Sequence, residues 1–200
     1  MAVTAERFNQ GMTYEEYREQ MNRNRERFDA TEAAVELNPA DVEAFAALPQ
    51  PLNVLVIAED WCGDVISNLP VLGKLAAASN DKLNVRVFLR DQNLDLIDQY
   101  LKEGKYRSIP VFVFFDSNFN ELGHMIERPA SVTQMLAEKR AAIYAANPEF
   151  GDPSTPPDQM PEETRVAFMQ QVNQMREDSR GEINNAIVSD LRQIVQGVAA

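Results

Sequence analysis

Three short runs of β-branched and aromatic residues, NVLVIAE (53–59), LNVRVFL (83–89) and PVFVFFD (110–116), constrain this chain more than any other feature. Their apolar side chains follow one another closely, as in strands buried on both faces. Between the first two lies a helical pattern from about Gly63 to Ala78. Between the second and third lies LDLIDQYLKEG (94–104), read as a helix closed by Gly104. A weaker strand, NELGHMIE (120–127), follows a DSNFN turn. Next comes the helix ASVTQMLAEKRAAIYAAN (130–147), apolar at Val132, Met135, Leu136, Ile143 and Tyr144. The order β-α-β-α-β-β-α predicts an α/β domain with parallel strands joined by crossover helices and a closing antiparallel hairpin.

Helical segments flank this core, so the chain reads as an N-terminal helical extension (1–48), a central domain (49–146), a proline-rich linker (147–161) and a C-terminal helical extension (162–200). TYEE is a capping box, with Thr13 as cap and Glu16 three residues on. Tyr14, Tyr17, Met21 and Phe28 then fall roughly on one face of a single helix, whose charge run RNRER is its solvated side. In NPAD, Asn38 caps a second helix and Pro39 opens it. NPEFGDPSTPPDQMP reads as a linker or a segment laid over the surface. The long helical pattern from about Glu162, with a break expected at Gly181, carries two apolar stripes: Val166, Met169, Val172 and Met175, then Ile183, Ile187, Leu191, Ile194 and Val198. Such stripes pack on their own domain or form a homodimer interface through the C-terminal helix.

A formal charge of −12 and a pI near 4.6 argue against nucleic acid or an anionic membrane surface as partner, since both would repel the chain. No run approaches the length of a membrane-spanning helix, and the polar first thirty residues lack the apolar centre of a signal peptide. A cytoplasmic location is the expectation. With one cysteine, an internal disulfide cannot form.

That cysteine sits in AEDWCGDVISNLP (58–70), beside the only tryptophan. The sequence puts Cys62 at the carboxyl end of a buried strand and the start of a helix. There, exposed N–H groups and the helix dipole favour the thiolate, and Gly63 permits a tight turn. Glu59, Asp60 and Asp64 oppose it, because neighbouring negative charge disfavours a thiolate. No Lys or Arg is nearer in sequence than Lys74. Read in isolation, Cys62 is either a partly activated thiol or a small buried apolar residue. His124 is the sole histidine, so a histidine metal cluster is excluded. GKLAAAS lacks the glycine spacing of a phosphate-binding loop.

With that order of elements, VLVIAEDWCGDV resembles the strand, tryptophan and active-site turn of the thioredoxin superfamily, whose motif reads W-C-x-x-C. Pro70 resembles the proline that kinks the active-site helix, FLRDQN the end of the next strand, and Gly123 the glycine of the last strand. YRSIPVFVFFD resembles the segment whose Ile–Pro bond is cis and faces the thiol. The resemblance covers about residues 45 to 146 and implies a thioredoxin-like fold. It also implies a cis Ile109–Pro110 bond and a site made of Cys62 with Trp61, Gly63, Asp64, Ile109 and Pro110 along the substrate groove. The W-C-G-D form with helical extensions is similar to a bacterial thioredoxin-like subgroup.

Two family residues are replaced: the resolving cysteine by Val65 and the buried proton-shuttling acid by Val56. The resemblance therefore implies a monothiol reaction with no bound cofactor. Cys62 would attack a protein disulfide or a low-molecular-weight thiol adduct, and glutathione or another external thiol would release it. The alternative is a non-catalytic interaction module whose groove binds an extended segment. A third reading is a peroxide sensor, slowed by the nearby acids.

Overall fold

The computed structural model describes residues 3–196, so Val198 lies outside the described part. The elements are α1 (Ala5–Phe8), α2 (Tyr14–Gln20), α3 (Arg25–Ala33), α4 (Pro39–Ala46), β1 (Leu52–Ala58), α5 (Gly63–Ala78), β2 (Leu83–Leu89), α6 (Leu94–Ile97), β3 (Val111–Phe115), β4 (Glu121–Ile126), α7 (Ala130–Ala146), α8 (Glu162–Asp178) and α9 (Arg180–Gln196). They form two units. One comprises the chain through Pro129 together with the part from Asn184 on, and the other is Ala130–Ile183.

In the first unit the four strands form one mixed sheet in the order β2-β1-β3-β4. β1 runs parallel to β2, with Val54 opposite Val85, and antiparallel to β3, with Val54 opposite Phe114. The β3–β4 hairpin is antiparallel and shifts register between Phe114 and Phe115. The sequence patterns follow from this placement: β1 and β3 are central strands, and every residue of β3 is buried. The crossover from β1 to β2 is α5, which buries Val65, Leu69, Leu72 and Leu75 and carries Pro70 within it. α3 and α4 pack on α5. From α9, Ile194 lies over β4, so close that a Cβ on Gly123 would come within 3.1 Å of its Cγ2, and Arg192 pairs with Asp41 of α4 at 3.1 Å. Ile187 and Leu191 of the C-terminal stripe are buried in this unit, and Ile183 is buried in the second.

The N-terminal helix is divided. The capping box of Thr13 and Glu16 forms as its sequence implies, but α2 stops at Gln20. Met21 is extended and Asn24 is left-handed (φ 55°), while the N–H groups of Asn22 and Arg23 turn to Asp60 rather than up a helix. Tyr17, Met21 and Phe28 are nevertheless buried. The segment 94–104 is likewise helical only over α6. Lys102 pairs with Tyr106 across a tight turn in which Glu103 (φ 55°) and Gly104 (φ 68°) are both left-handed. Gly104 is free of the Cβ penalty there, and the turn replaces the last helical rungs.

In the second unit, Tyr144 of α7, Phe168 of α8, and Phe150 and Met160 of the proline-rich segment form a small buried cluster. That segment is anchored by two apolar side chains and two short 3₁₀ turns, Pro148–Phe150 and Pro157–Gln159. The inward face of α8 carries Phe168, whereas Val166 and Met169 of the expected stripe are 47% and 38% exposed. The large aromatic ring, with Tyr144 5.1 Å and Phe150 5.7 Å away, sets the rotation of the helix. The helical break falls at Ser179, two residues before Gly181.

Candidate functional site

β1 ends at Ala58, and four residues later Cys62 is the N-cap of the 16-residue helix α5. Its backbone is extended (φ −85°, ψ 121°), its N–H donates to Glu59 O at 3.2 Å, and its carbonyl accepts from Ile66 at 3.1 Å. The turn therefore presents a half-buried thiol at the positive end of a helix, where a thiolate is favoured. Gly63 is the first helical residue. Val65, one turn in, is fully buried, as is Val56 on the strand beneath.

The thiol faces the start of β3. Cys62 Sγ donates to the carbonyl of Ile109 at 3.4 Å, and the Ile109–Pro110 peptide bond is cis. Pro110 O in turn accepts from Glu127 N at 2.7 Å, and Asn68 of α5 donates to Glu127 O at 2.7 Å. These bonds tie the helix, the proline segment and the end of β4 together around the sulfur. An open cleft of about 390 Å³ results, lined by Trp61, Cys62, Asp64, Arg90, Ile109 and Glu127 among others. Trp61 is 41% exposed, with the Arg90 guanidinium 4.8 Å from its ring centre. Trp61, Cys62, Asp64 and Ile109 thus share one cleft, with Gly63 and Pro110 as their chain neighbours.

The three nearby acids each have a partner. Asp60 Oδ2 accepts the N–H groups of Asn22 (2.8 Å) and Arg23 (2.9 Å), while Asn24 Nδ2 donates to Asp60 O at 2.9 Å. Asp64 is ion-paired with Arg128, which also bonds Glu127 at 3.0 Å. Glu127 in turn pairs with Lys102. Glu59 is buried and accepts the Asp91 N–H at 2.9 Å; burial pushes its carboxyl above the usual range, while the Asp91 N–H favours the charged form. The repulsion expected from sequence is therefore offset by cations and N–H donors from distant segments.

Several contributors escaped sequence reasoning. Arg128, Glu127 and Lys102 reach the site from the end of β4 and from the turn after α6. Their positions in the chain gave no sign of it. Arg90 stood in FLRDQN, directly after β2, which was the available signal. The Asn22–Asn24 clamp had none, because a polar RNRER run looks the same whether its backbone is helical or turned toward a carboxylate. His124 lies away from the cleft, with Nδ1 2.6 Å from Glu121 Oε1 and its ring against Tyr100. Among the described residues, no three His, Cys, Asp or Glu side chains converge to hold a metal ion, and no helix is long and apolar enough to cross a membrane.

Known structures share this architecture. A Pseudomonas aeruginosa protein of unknown function superposes with a TM-score of 0.70 at 19% identity, covering 99% of each chain. An HIV epitope-scaffold superposes with a TM-score of 0.64 at 18% identity, over 98% of this chain and 99% of its own. No curated protein matches. Residues 11–141 match the family described as Thioredoxin, a span that includes the Asn22–Asn24 clamp, the Cys62 turn and the cis proline. The chain is a member of the thioredoxin family.

Proposed function

We propose that this protein carries out thiol–disulfide exchange through Cys62 alone. The observation that carries this reading is the setting of the thiol: half-exposed at the N-terminus of α5, open to a cleft, with all three neighbouring acids partnered. The Cys62 thiolate attacks one sulfur of a disulfide. A new S–S bond forms, the old one breaks, and the second sulfur leaves as a thiolate. Val65 cannot resolve this mixed disulfide, so an external thiolate attacks it, takes the bound sulfur as a new disulfide and regenerates the Cys62 thiolate. Glutathione or a similar small thiol is the proposed resolving reagent, a protein disulfide or small-thiol adduct the substrate, and the cytoplasm the setting. Trp61 and Pro110 border the groove, and the W-C-G-D turn resembles that of a bacterial thioredoxin-like subgroup.

The pH dependence of alkylation by iodoacetamide tests the proposal, with Cys62→Ser as blank. The expected result is a thiol pKa below the reference of about 8.5 and rapid alkylation of the native protein. A pKa above that reference, or a thiol that reacts only after unfolding, would sink it. The exposure of Trp61 and of Tyr106 (49%) on the cleft favours a second reading, a docking groove for an extended peptide. In that case Cys62→Ser would bind its partner unchanged.

A further inference from the structure

Arg128 leaves β4 through a turn that contains one unusual residue. Glu127 is left-handed (φ 66°), a conformation that costs a non-glycine residue energy and persists where its surroundings hold it. Both its main-chain groups and both its carboxylate oxygens are engaged. The N–H donates to Pro110 O, and the carbonyl accepts from Asn68 Nδ2 of α5, each at 2.7 Å. One carboxylate oxygen takes Lys102, and the other takes Arg128 Nη2 at 3.0 Å. Arg128 is thereby aimed back at the thiol turn, where its Nη1 pairs with Asp64. These two side chains are only 17% and 13% exposed. A guanidinium can fork between two carboxylates in this way, which an ammonium cannot.

Asp64 is the second residue of α5, and Cys62 is the N-cap of that helix. Both line the same cleft. An anionic N-cap side chain and an acid in the first turn seek the same partners, the first N–H groups of the helix. The neutral thiol makes no capping bond and donates instead to Ile109 O at 3.4 Å. On ionisation the sulfur becomes an acceptor, that carbonyl repels it, and the helix N–H groups become its partners. A released Asp64 carboxylate would compete for them and add its own repulsion. We propose that Arg128 is a positioning residue for the thiol: by holding the Asp64 carboxylate, it reserves the N-terminus of α5 for the Cys62 thiolate. This rests on the thiol-exchange reading and makes the turn after β4 part of the site. The other charged or titratable groups at the cleft are Arg90, paired with Asp91, Arg107, paired with Asp98, Tyr106, and Glu127 with its Lys102. Glu59 and Asp60 precede the thiol in its own turn. The variants below leave all of them in place.

The test is a cycle of alkylation profiles over wild type, Arg128→Gln, Asp64→Ala and the double variant. In each, the thiolate displaces iodide from iodoacetamide as the C–S bond forms. Thermal melts set a temperature at which every variant is folded. Arg128→Gln should raise the thiol pKa by about one unit and slow alkylation near neutral pH about tenfold. In the Asp64→Ala background the same substitution should shift the pKa by less than about a third of a unit, because no carboxylate at 64 is left to release. Equal shifts in the two backgrounds would make Arg128 a cation acting on the sulfur directly. No shift in either would make the ion pair purely structural. Both results overturn the proposal. Should Arg128→Gln fail to fold, Arg128→Lys keeps the charge and loses the fork. It should raise the pKa by about half a unit with Asp64 present and leave it unchanged in the Asp64→Ala background; an unchanged pKa with Asp64 present overturns the proposal. The cycle reads a difference between backgrounds, whereas the wild-type pKa alone tests thiol exchange, so the two failures are distinct.

Discussion

Glu59 illustrates at the scale of one residue how the turn is balanced. Its carboxyl is buried beside Asp60 and Asp91, and burial raises its affinity for a proton in the folded state. The unfolded chain gives up that proton at lower pH, near the ordinary glutamate value of about 4.3, so stability declines as pH rises from there through the higher folded value. Glu59→Gln keeps an oxygen for the Asp91 N–H and removes the charge. It should therefore raise the Tm by a few degrees at pH 7, with the advantage disappearing below about pH 4. Melting curves across that range check it. A variant less stable than wild type at pH 7 would show that ionised Glu59 is held by more than the Asp91 N–H and the nearby Arg90.

Among the elements, α5 is held at two points, by the thiol turn at its start and by Tyr14 of α2 against Gly73 within it. A Cβ on Gly73 would lie 2.4 Å from Tyr14 Cζ, and the Tyr14 hydroxyl is held by Glu32 at 2.7 Å, so the ring cannot simply swing aside. Gly73→Ala should cost about 1–3 kcal/mol. Adding Tyr14→Ala should make the alanine at 73 nearly neutral, a coupling that denaturant titration of the double-mutant cycle reads directly. β1, β2, β3 and α5 were legible in the sequence because each buries most of its length, and continuous burial leaves a continuous apolar signature. The division of α2 from α3 and the short α6 were not. Both depend on backbone groups choosing a partner outside the helix, the remote Asp60 in one case and the nearby Tyr106 in the other. The thiol, tryptophan and proline of the site were legible as local motifs; Arg128 and Lys102 were not, because only the folded chain brings them to the Asp64–Glu127 ion pairs beside the turn.

For the molecule as a whole, the two units have separate apolar centres, and each can be probed on its own. Phe168→Ala removes the ring at the middle of the Tyr144–Phe150–Met160 cluster and should cost about 3–5 kcal/mol locally. Hydrogen exchange should accelerate over α7 and α8; unchanged protection there would mean that the cluster is not what holds the second unit. The single thiol has a different consequence for the entire protein. A dithiol member of the family hides its oxidation as the loss of two hydrogens, whereas this chain can enter a disulfide only by acquiring another molecule. Every mixed disulfide is therefore heavier by the mass of the thiol it captured, less two hydrogens. The intact weight of protein taken from cells under non-reducing conditions would then record the identity of the partner itself.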